Sequence, residues 1–295
     1  MTESIASLRH KITSAKDLKS VVRSMKTIAS SSIGQYEKAV NSLDDYYQTV
    51  QMGLSACLSQ REQLAQSPVT QNPSLQSEPA IGVIVFGSDQ GLVGQFNEVI
   101  VEFVSNSLSK MPGNKMVWAV GELVESRLLE TDLKTEKSFQ LPNSVNTITA
   151  LVGEILIEIE EKQERGLIEQ VFLFHHKPEN NAISRPLDQQ LLPFDSDWRN
   201  EFTVIDWPSN NLAQVMPEQH KTGRAFIREY LFVTLFRACA ESLASENASR
   251  LAAMQRAEKN IDEMQEKLNQ TYHRLRQSEI DEELFDVISG FNALN

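Results

Sequence analysis

Only two cysteines occur in the 295 residues, Cys57 and Cys239, far apart and with no CxxC or CxxH partner. That excludes a disulfide framework and gives no support to a zinc site, so both are expected to be small packing residues. Long apolar runs are missing as well. The longest, around Ile81 to Phe86, is about eight residues, against the roughly 20 needed to span a bilayer. The N-terminus lacks the apolar core of a signal peptide, and the chain reads as cytosolic. A basic surplus is lacking too. The net charge is −12, which disfavours nucleic acid as a partner, because basic groups supply most of that affinity. No proline precedes Pro68, and from Pro217 to the end there is no further proline and the only glycines are Gly223 and Gly290. Both ends of the chain are therefore free of proline over long stretches and poor in glycine, the residues that break helices.

What fills those ends is periodic. Ile5, Leu8, Ile12, Ala15, Lys19, Val22, Lys26, Ala29, Ile33, Tyr36, Val40, Leu43, Tyr47, Val50, Leu54 and Cys57 recur every third and fourth residue, and only the two lysines are polar. This is a coiled-coil signature, and such a helix needs a partner helix. At ~1.5 Å per residue it would run roughly 80 Å. Near the other end Met254, Ala257, Ile261, Met264, Leu268, Thr271 and Leu275 repeat at heptad spacing, within a second proline-free stretch of about 110 Å by the same rise. The two are each other's expected partners in an antiparallel coiled coil.

Between them the period changes. Residues 59–79 are polar with three prolines and read as a linker. Strand-like runs at Ala80–Phe86, Met116–Val120, Val171–His175 and Phe202–Ile205 then alternate with helical stretches at Gln95–Lys110, Glu122–Leu129 and Thr147–Arg165, the βαβ pattern of an α/β domain. The expected fold class is α/β plus a long antiparallel coiled coil: a helix over 1–58, a linker over 59–79, a Rossmann-like α/β domain over 80–208 and a helix over 209–295. Charge is uneven along it. Residues 1–40 carry seven basic groups against three acids, which leaves −16 on the remainder. A basic arm on an acidic protein points to an acidic partner, or simply to a solvated helix face.

The stretch FGSDQGLVGQFN, residues 86–97, places Gly87, Gly91 and Gly94 between a strand and a helix, as phosphate-cradling loops do. It has neither the Lys-Ser/Thr pair of a nucleoside-triphosphate loop nor the dinucleotide glycine spacing. The glycines are expected to supply positive φ and close backbone approach instead. The adjacent histidines, His175 and His176, end a strand and are expected to be a surface or core pair rather than a catalytic one.

Four segments, in order, resemble the gamma subunit of F-type rotary ATP synthases. RSMKTIAS (Arg23–Ser30) is similar to that family's N-terminal Met-Lys region, and GSDQGLVGQFN to its Ser-Asp-x-Gly-Leu loop. LASENASRLAAMQRAEKN (Leu243–Asn260) resembles its Ala-Ser-Glu segment, and Ile280, Glu283, Asp286 and Gly290 match four positions of its C-terminal signature. Asp281 and Phe291 depart from that signature, and the stretch from Glu279 to Asp286 carries five acids and no base. The resemblance implies a divergent bacterial member: a central rotor that passes torque between the membrane c-ring and the catalytic ring for proton- or sodium-coupled ATP synthesis or hydrolysis. Its implied partners are the alpha and beta subunits, the epsilon subunit and the c-ring, with no nucleic acid and no membrane insertion. It also implies no catalytic residue, cofactor or metal of its own, and a peripheral place on the cytoplasmic face of the cell membrane.

By the same resemblance Arg23, Met25, Lys26 and Ile28 fall where the family meets an acidic arm of beta, and Arg250 and Gln277 where its C-terminal helix contacts the catalytic ring. Glu283 and Asp286 match the signature, and Gly87, Asp89, Gly91 and Gly94 match a structural turn. Simpler readings stand beside these. Lys19 and Lys26 are also expected at the edge of the heptad stripe with their stems packed, and Arg250, Gln277, Glu283 and Asp286 also fit a solvated face. A static coiled-coil scaffold, or a nucleotide-binding enzyme using the Gly87–Gly94 loop, are the rival functions.

Overall fold

The computed structural model describes residues 4–64, 79–179, 184–193, 215 and 219–293. Two compact units emerge, one of Met1–Ser30 with Arg250–Asn295 and one of Ser31–Ser249. The N-terminal stretch forms α1 (Ile5–Ser42) and α2 (Asp44–Leu64), and the C-terminal stretch a single helix, α6 (Gln219–Ala293). Ser4 starts α1, its hydroxyl accepting the amide of Ser7 at 3.3 Å, the usual way a serine satisfies a first-turn donor. The expected single N-terminal helix is interrupted at Leu43. The Ser42 hydroxyl donates back to the Ala39 carbonyl at 2.9 Å, and Asp44 and Asp45 supply the acidic first turn that opens α2.

Each unit is held along the predicted stripe. In the first, Leu8, Ala15, Ala29 and Met254 are buried. In the second, Tyr36, Val50, Leu54 and Cys57 are buried, as is Tyr230 of α6, whose ring lies 5.9 Å from that of Tyr47. All sixteen stripe positions from Ile5 to Cys57 are buried or half-buried. On α6 the repeat slips at Met264, which is 42% exposed and stands on the flank of the helix.

The second unit also contains a five-stranded sheet, with strands β1 (Ala80–Phe86), β2 (Lys115–Val120), β3 (Thr135–Phe139), β4 (Ile168–Pro178) and β5 (Ser184–Leu192). Their order is β3-β2-β1-β4-β5, parallel throughout except for the antiparallel β4–β5 pair. The connecting helices are α3 (Phe96–Leu108), α4 (Glu122–Leu128) and α5 (Val145–Glu164). β1 is central and buried on both faces, which is why it reads as an unbroken apolar run rather than an alternating one. Ile84 and Phe86 point to a core shared with Ile148, Ile155 and Leu235 from α5 and α6. Val83 and Val85 point to the opposite core, with Ile100 and Val104 of α3 and Leu128 of α4. The sheet is thus sandwiched, with α5 and α6 on one face and α3 and α4 on the other.

Two strands went unread in the sequence, both at the sheet's edges. β3 (TEKSF) buries only Phe139, and β5 (SRPLDQQLL) contains Pro186 and buries only its last two residues. Edge strands meet solvent and tolerate proline and charge, so they lack the apolar run or clean alternation that marks an interior strand. The expected strand at Phe202–Ile205 lies outside the described residues.

Trp118 on β2 is fully buried, so Trp118→Ala should lower stability by about 3–5 kcal/mol. Leu129 is exposed, and Leu129→Ala should stay within about 0.5 kcal/mol. Urea unfolding followed by circular dichroism distinguishes the two.

Candidate functional site

In the first unit the seam between α1 and α6 has charged groups along one side. Lys19 is ion-paired with Asp262. Arg23 Nε lies 2.8 Å from Glu258 Oε1 and Lys26 Nζ 2.6 Å from Glu258 Oε2. Arg9 donates to the Tyr272 hydroxyl at 2.8 Å and lies over its ring. Hydrogen bonds from Lys26 and Arg23 hold the Glu258 carboxyl down at about 2, against an ordinary 4.5, and the same bond raises the Arg23 guanidinium. The two lysines that interrupt the apolar stripe are therefore half-buried partners of carboxylates on the facing helix. Much of the N-terminal positive charge is already met within the chain. Glu258 and Asp262 were missed in the sequence. Their signal is there, as acids flanking the seam residues of α6 at the level of the basic flank of α1.

The register is constant: Arg9 meets Tyr272, Lys19 meets Asp262 and Arg23 meets Glu258. Ser4 therefore stands opposite Gln277, and α6 runs on past the start of α1. In that continuation Ile280, Leu284, Phe285, Val287 and Ile288 are exposed, as are Glu283 and Asp286. Gln277 is exposed at its beginning, and Arg250 is half-buried at the opposite limit of this unit. Met25 is half-buried and Ile28 exposed, on the flank of α1 away from Arg23. The candidate contact residues thus form separate groups along the helix pair: Arg23, Met25, Lys26 and Ile28 at one level, Gln277 further along, and Glu283 with Asp286 on the unpaired end.

The glycine loop of the second unit is tied to its neighbours. The Ser88 amide donates to Asn97 Oδ1 at 3.0 Å, and Asn97 Nδ2 donates to the Ser88 hydroxyl at 2.8 Å. Asp89 accepts from the amide of Glu122 at 2.9 Å and from that of Leu141 at 3.1 Å. Its carboxylate therefore joins the first turn of α4 to the segment after β3. A Cβ at Gly87 would stand 2.2 Å from Val124 Cβ, so close packing forces glycine there. Gly94 has φ +64°, but Gly91 has open space around it, and Leu92 takes the other positive φ of the turn. These bonds commit the Ser88 amide and the Asp89 carboxylate to the protein itself.

His175 and His176 are both buried on β4. His176 Nε2–H donates to the Phe96 carbonyl at 2.9 Å, and its ring stacks on Phe96. Burial pushes the His176 pKa down to about 4, so the ring is neutral near pH 7. His175 Nε2 lies 3.1 Å from Glu241, which also pairs with Arg237 at 3.0 Å. Burial alone would raise the Glu241 carboxyl, but the bonds from His175 and Arg237 outweigh it and hold it below the ordinary value. The pair ties the sheet to α3 and α6 as core histidines. Among the described residues no group of three His, Cys, Asp or Glu is arranged to hold a metal ion.

A family model described as ATP synthase matches residues 4–294. The ATP synthase gamma chain of Brevibacillus brevis is 23% identical over 300 residues, covering 99% of each chain. That of Pelagibacter ubique is 26% identical over 301 residues, covering 97% of this chain and 98% of the relative. Among solved structures, a chain of the Euglena gracilis mitochondrial ATP synthase rotor has the same fold, with a TM-score of 0.61 at 16% identity over 94% of this chain and 98% of that one.

Two outcomes follow from the geometry. Gly87→Ala should cost about 1–3 kcal/mol through overpacking, while Gly91→Ala should stay within about 0.5 kcal/mol, as calorimetry of each variant would show. Glu258 titrates at 4.5 when unpaired and at about 2 when folded, so its pairing contributes fully above pH 4.5 and is lost as pH falls towards 2. The stability gap between the native chain and Glu258→Gln should narrow over that window.

Proposed function

We propose a working role for this chain, which belongs to the ATP synthase gamma-chain family and is a central-stalk subunit of an F-type ATP synthase. It turns as a rotor and passes torque between the membrane c-ring and the alternating alpha and beta subunits of the catalytic ring. The α/β domain meets the c-ring and the epsilon subunit, and the helix pair meets alpha and beta. The complex couples ATP synthesis or hydrolysis to proton or sodium movement, and this chain itself makes and breaks no bond. It sits peripherally at the cytoplasmic face of the bacterial membrane; among the described residues no helix is long and apolar enough to cross one.

The observation that carries this reading is the match over residues 4–294, together with an end of α6 that has no partner from α1 among the described residues and exposes apolar side chains. Contact is assigned to Arg23, Met25, Lys26 and Ile28 on α1 and to Arg250, Gln277, Glu283 and Asp286 on α6. Rotation changes which beta subunit meets which of these residues, and each orientation biases the open–closed equilibrium of one catalytic site. Moving such an equilibrium from 1:99 to 99:1 takes about 5.5 kcal/mol of differential binding. Burying one exposed Leu or Ile contributes about 1.5–3 kcal/mol, so two to four tip side chains are enough.

Arg250→Ala and Gln277→Ala should each lower coupled turnover of the assembled complex by about fivefold, equivalent to ~1 kcal/mol at the contact, with helicity unchanged. ATP-driven ion pumping in reconstituted vesicles reads this directly. Full coupling in both variants would remove these two residues from the contact.

A further inference from the structure

A pocket of about 270 Å³ in the second unit lies between the β4–β5 strand pair and one face of α6. Alternation along β4 puts His175 and Lys177 on the same side of the sheet, and His175 stands opposite Leu187 of β5. Thr234, Arg237 and Glu241 recur at i, i+3 and i+7 on α6, so one helix face forms the other wall. Part of that wall is already engaged. Arg237 reaches Glu241 through Nε at 3.0 Å and Asp44 through Nη1 at 3.3 Å, and the second Glu241 oxygen lies 3.1 Å from His175 Nε2. Glu241 is held below its ordinary value and is ionised near pH 7, so Nε2 carries the hydrogen and the neutral ring keeps a lone pair at Nδ1.

Three groups lining the pocket are left over. His175 Nδ1 and the Thr234 hydroxyl are buried with no hydrogen-bond partner among the described residues. A helical threonine commonly returns its hydroxyl to the carbonyl four residues back, and Thr234 does not. Lys177 is half-buried and has no acidic partner among the described residues. Water satisfies the first two groups but cannot neutralise the ammonium. A ligand that suits all three is an anion that also brings a hydrogen for His175 Nδ1, since a bare oxygen there would set lone pair against lone pair. We propose that this pocket binds the free phosphate ion in a protonated form, its oxygens accepting from Lys177, Thr234 and Arg237 Nη2 and its hydroxyl donating to His175 Nδ1. Three donors and one acceptor then match the four oxygens of the ion.

The test is titration calorimetry of the full chain at neutral pH with inorganic phosphate, sulfate and methyl phosphate in turn. Saturable binding of inorganic phosphate is expected. Sulfate has the same shape but no hydrogen to give, and should bind at least about tenfold more weakly, as a site built around a hydroxyl rejects an analogue without one. Methyl phosphate has largely lost its hydrogen at that pH and should also bind more weakly than the free ion. Absence of phosphate binding, or sulfate binding as tightly as phosphate, would overturn the proposal; methyl phosphate binding more tightly than the free ion would overturn it in favour of a phosphate ester. Lys177→Gln and Thr234→Val should each weaken phosphate binding at least about tenfold. Without phosphate, Thr234→Val should unfold no earlier than the native chain, because it removes a buried hydroxyl that has no partner. Unchanged phosphate affinity in both variants would place the ion elsewhere and contradict the assignment. Either result leaves the rotor reading as it stands.

Discussion

The antiparallel pairing of α1 with α6 is the constraint on which the first unit depends. In water most of the stability of such helices comes from packing an amphipathic face against a partner rather than from propensity. Their seam uses small side chains, Ala15 and Ala29 among them, which lets the backbones approach closely and gives dispersion contact along the pair. The flanking ions then fix the register. Slipping one helix by a turn would separate Glu258 from both Arg23 and Lys26, a modest loss for pairs this exposed. The register places the last part of α6 beyond Ile5, where α1 begins among the described residues.

In the second unit the sheet supplies the corresponding constraint. β1 lies between two apolar layers, and the loop after it is fastened by Ser88, Asp89 and Asn97 to α3, α4 and the segment following β3. A loop whose amide and carboxylate already bond to the protein serves to hold elements together. His176 on Phe96 and His175 on Glu241 extend the same bracing to α3 and α6. Glycine between a strand and a helix therefore has a packing explanation here, seen most directly in the contact between Gly87 and Val124.

Periodicity made most of this legible. The stripe from Ile5 to Cys57 is buried or half-buried at every position, because a strict 3-4 repeat leaves a helix one face to bury. The interior strands were visible for a similar reason, as short apolar runs between turn residues. Less legible was anything set by a neighbour distant in sequence. Lys19 and Lys26 look like gaps in the stripe until Asp262 and Glu258 are placed opposite them. β3 and β5 pair at sheet edges and lack an apolar signature, and the break at Leu43 turns on one serine hydroxyl and two aspartates. The candidate contact residues came from family resemblance, since exposed side chains carry no periodic signal of their own.

The most direct measurement of the central claim is rotation. Alpha and beta subunits from the same genome would be assembled with this chain, the catalytic ring fixed to a surface, a bead attached to the α/β domain and MgATP added. The account predicts stepwise turning in one direction, halting when ATP is exhausted. A complex that assembles and hydrolyses ATP while the bead stays still would contradict it and leave the helix pair as a static bridge.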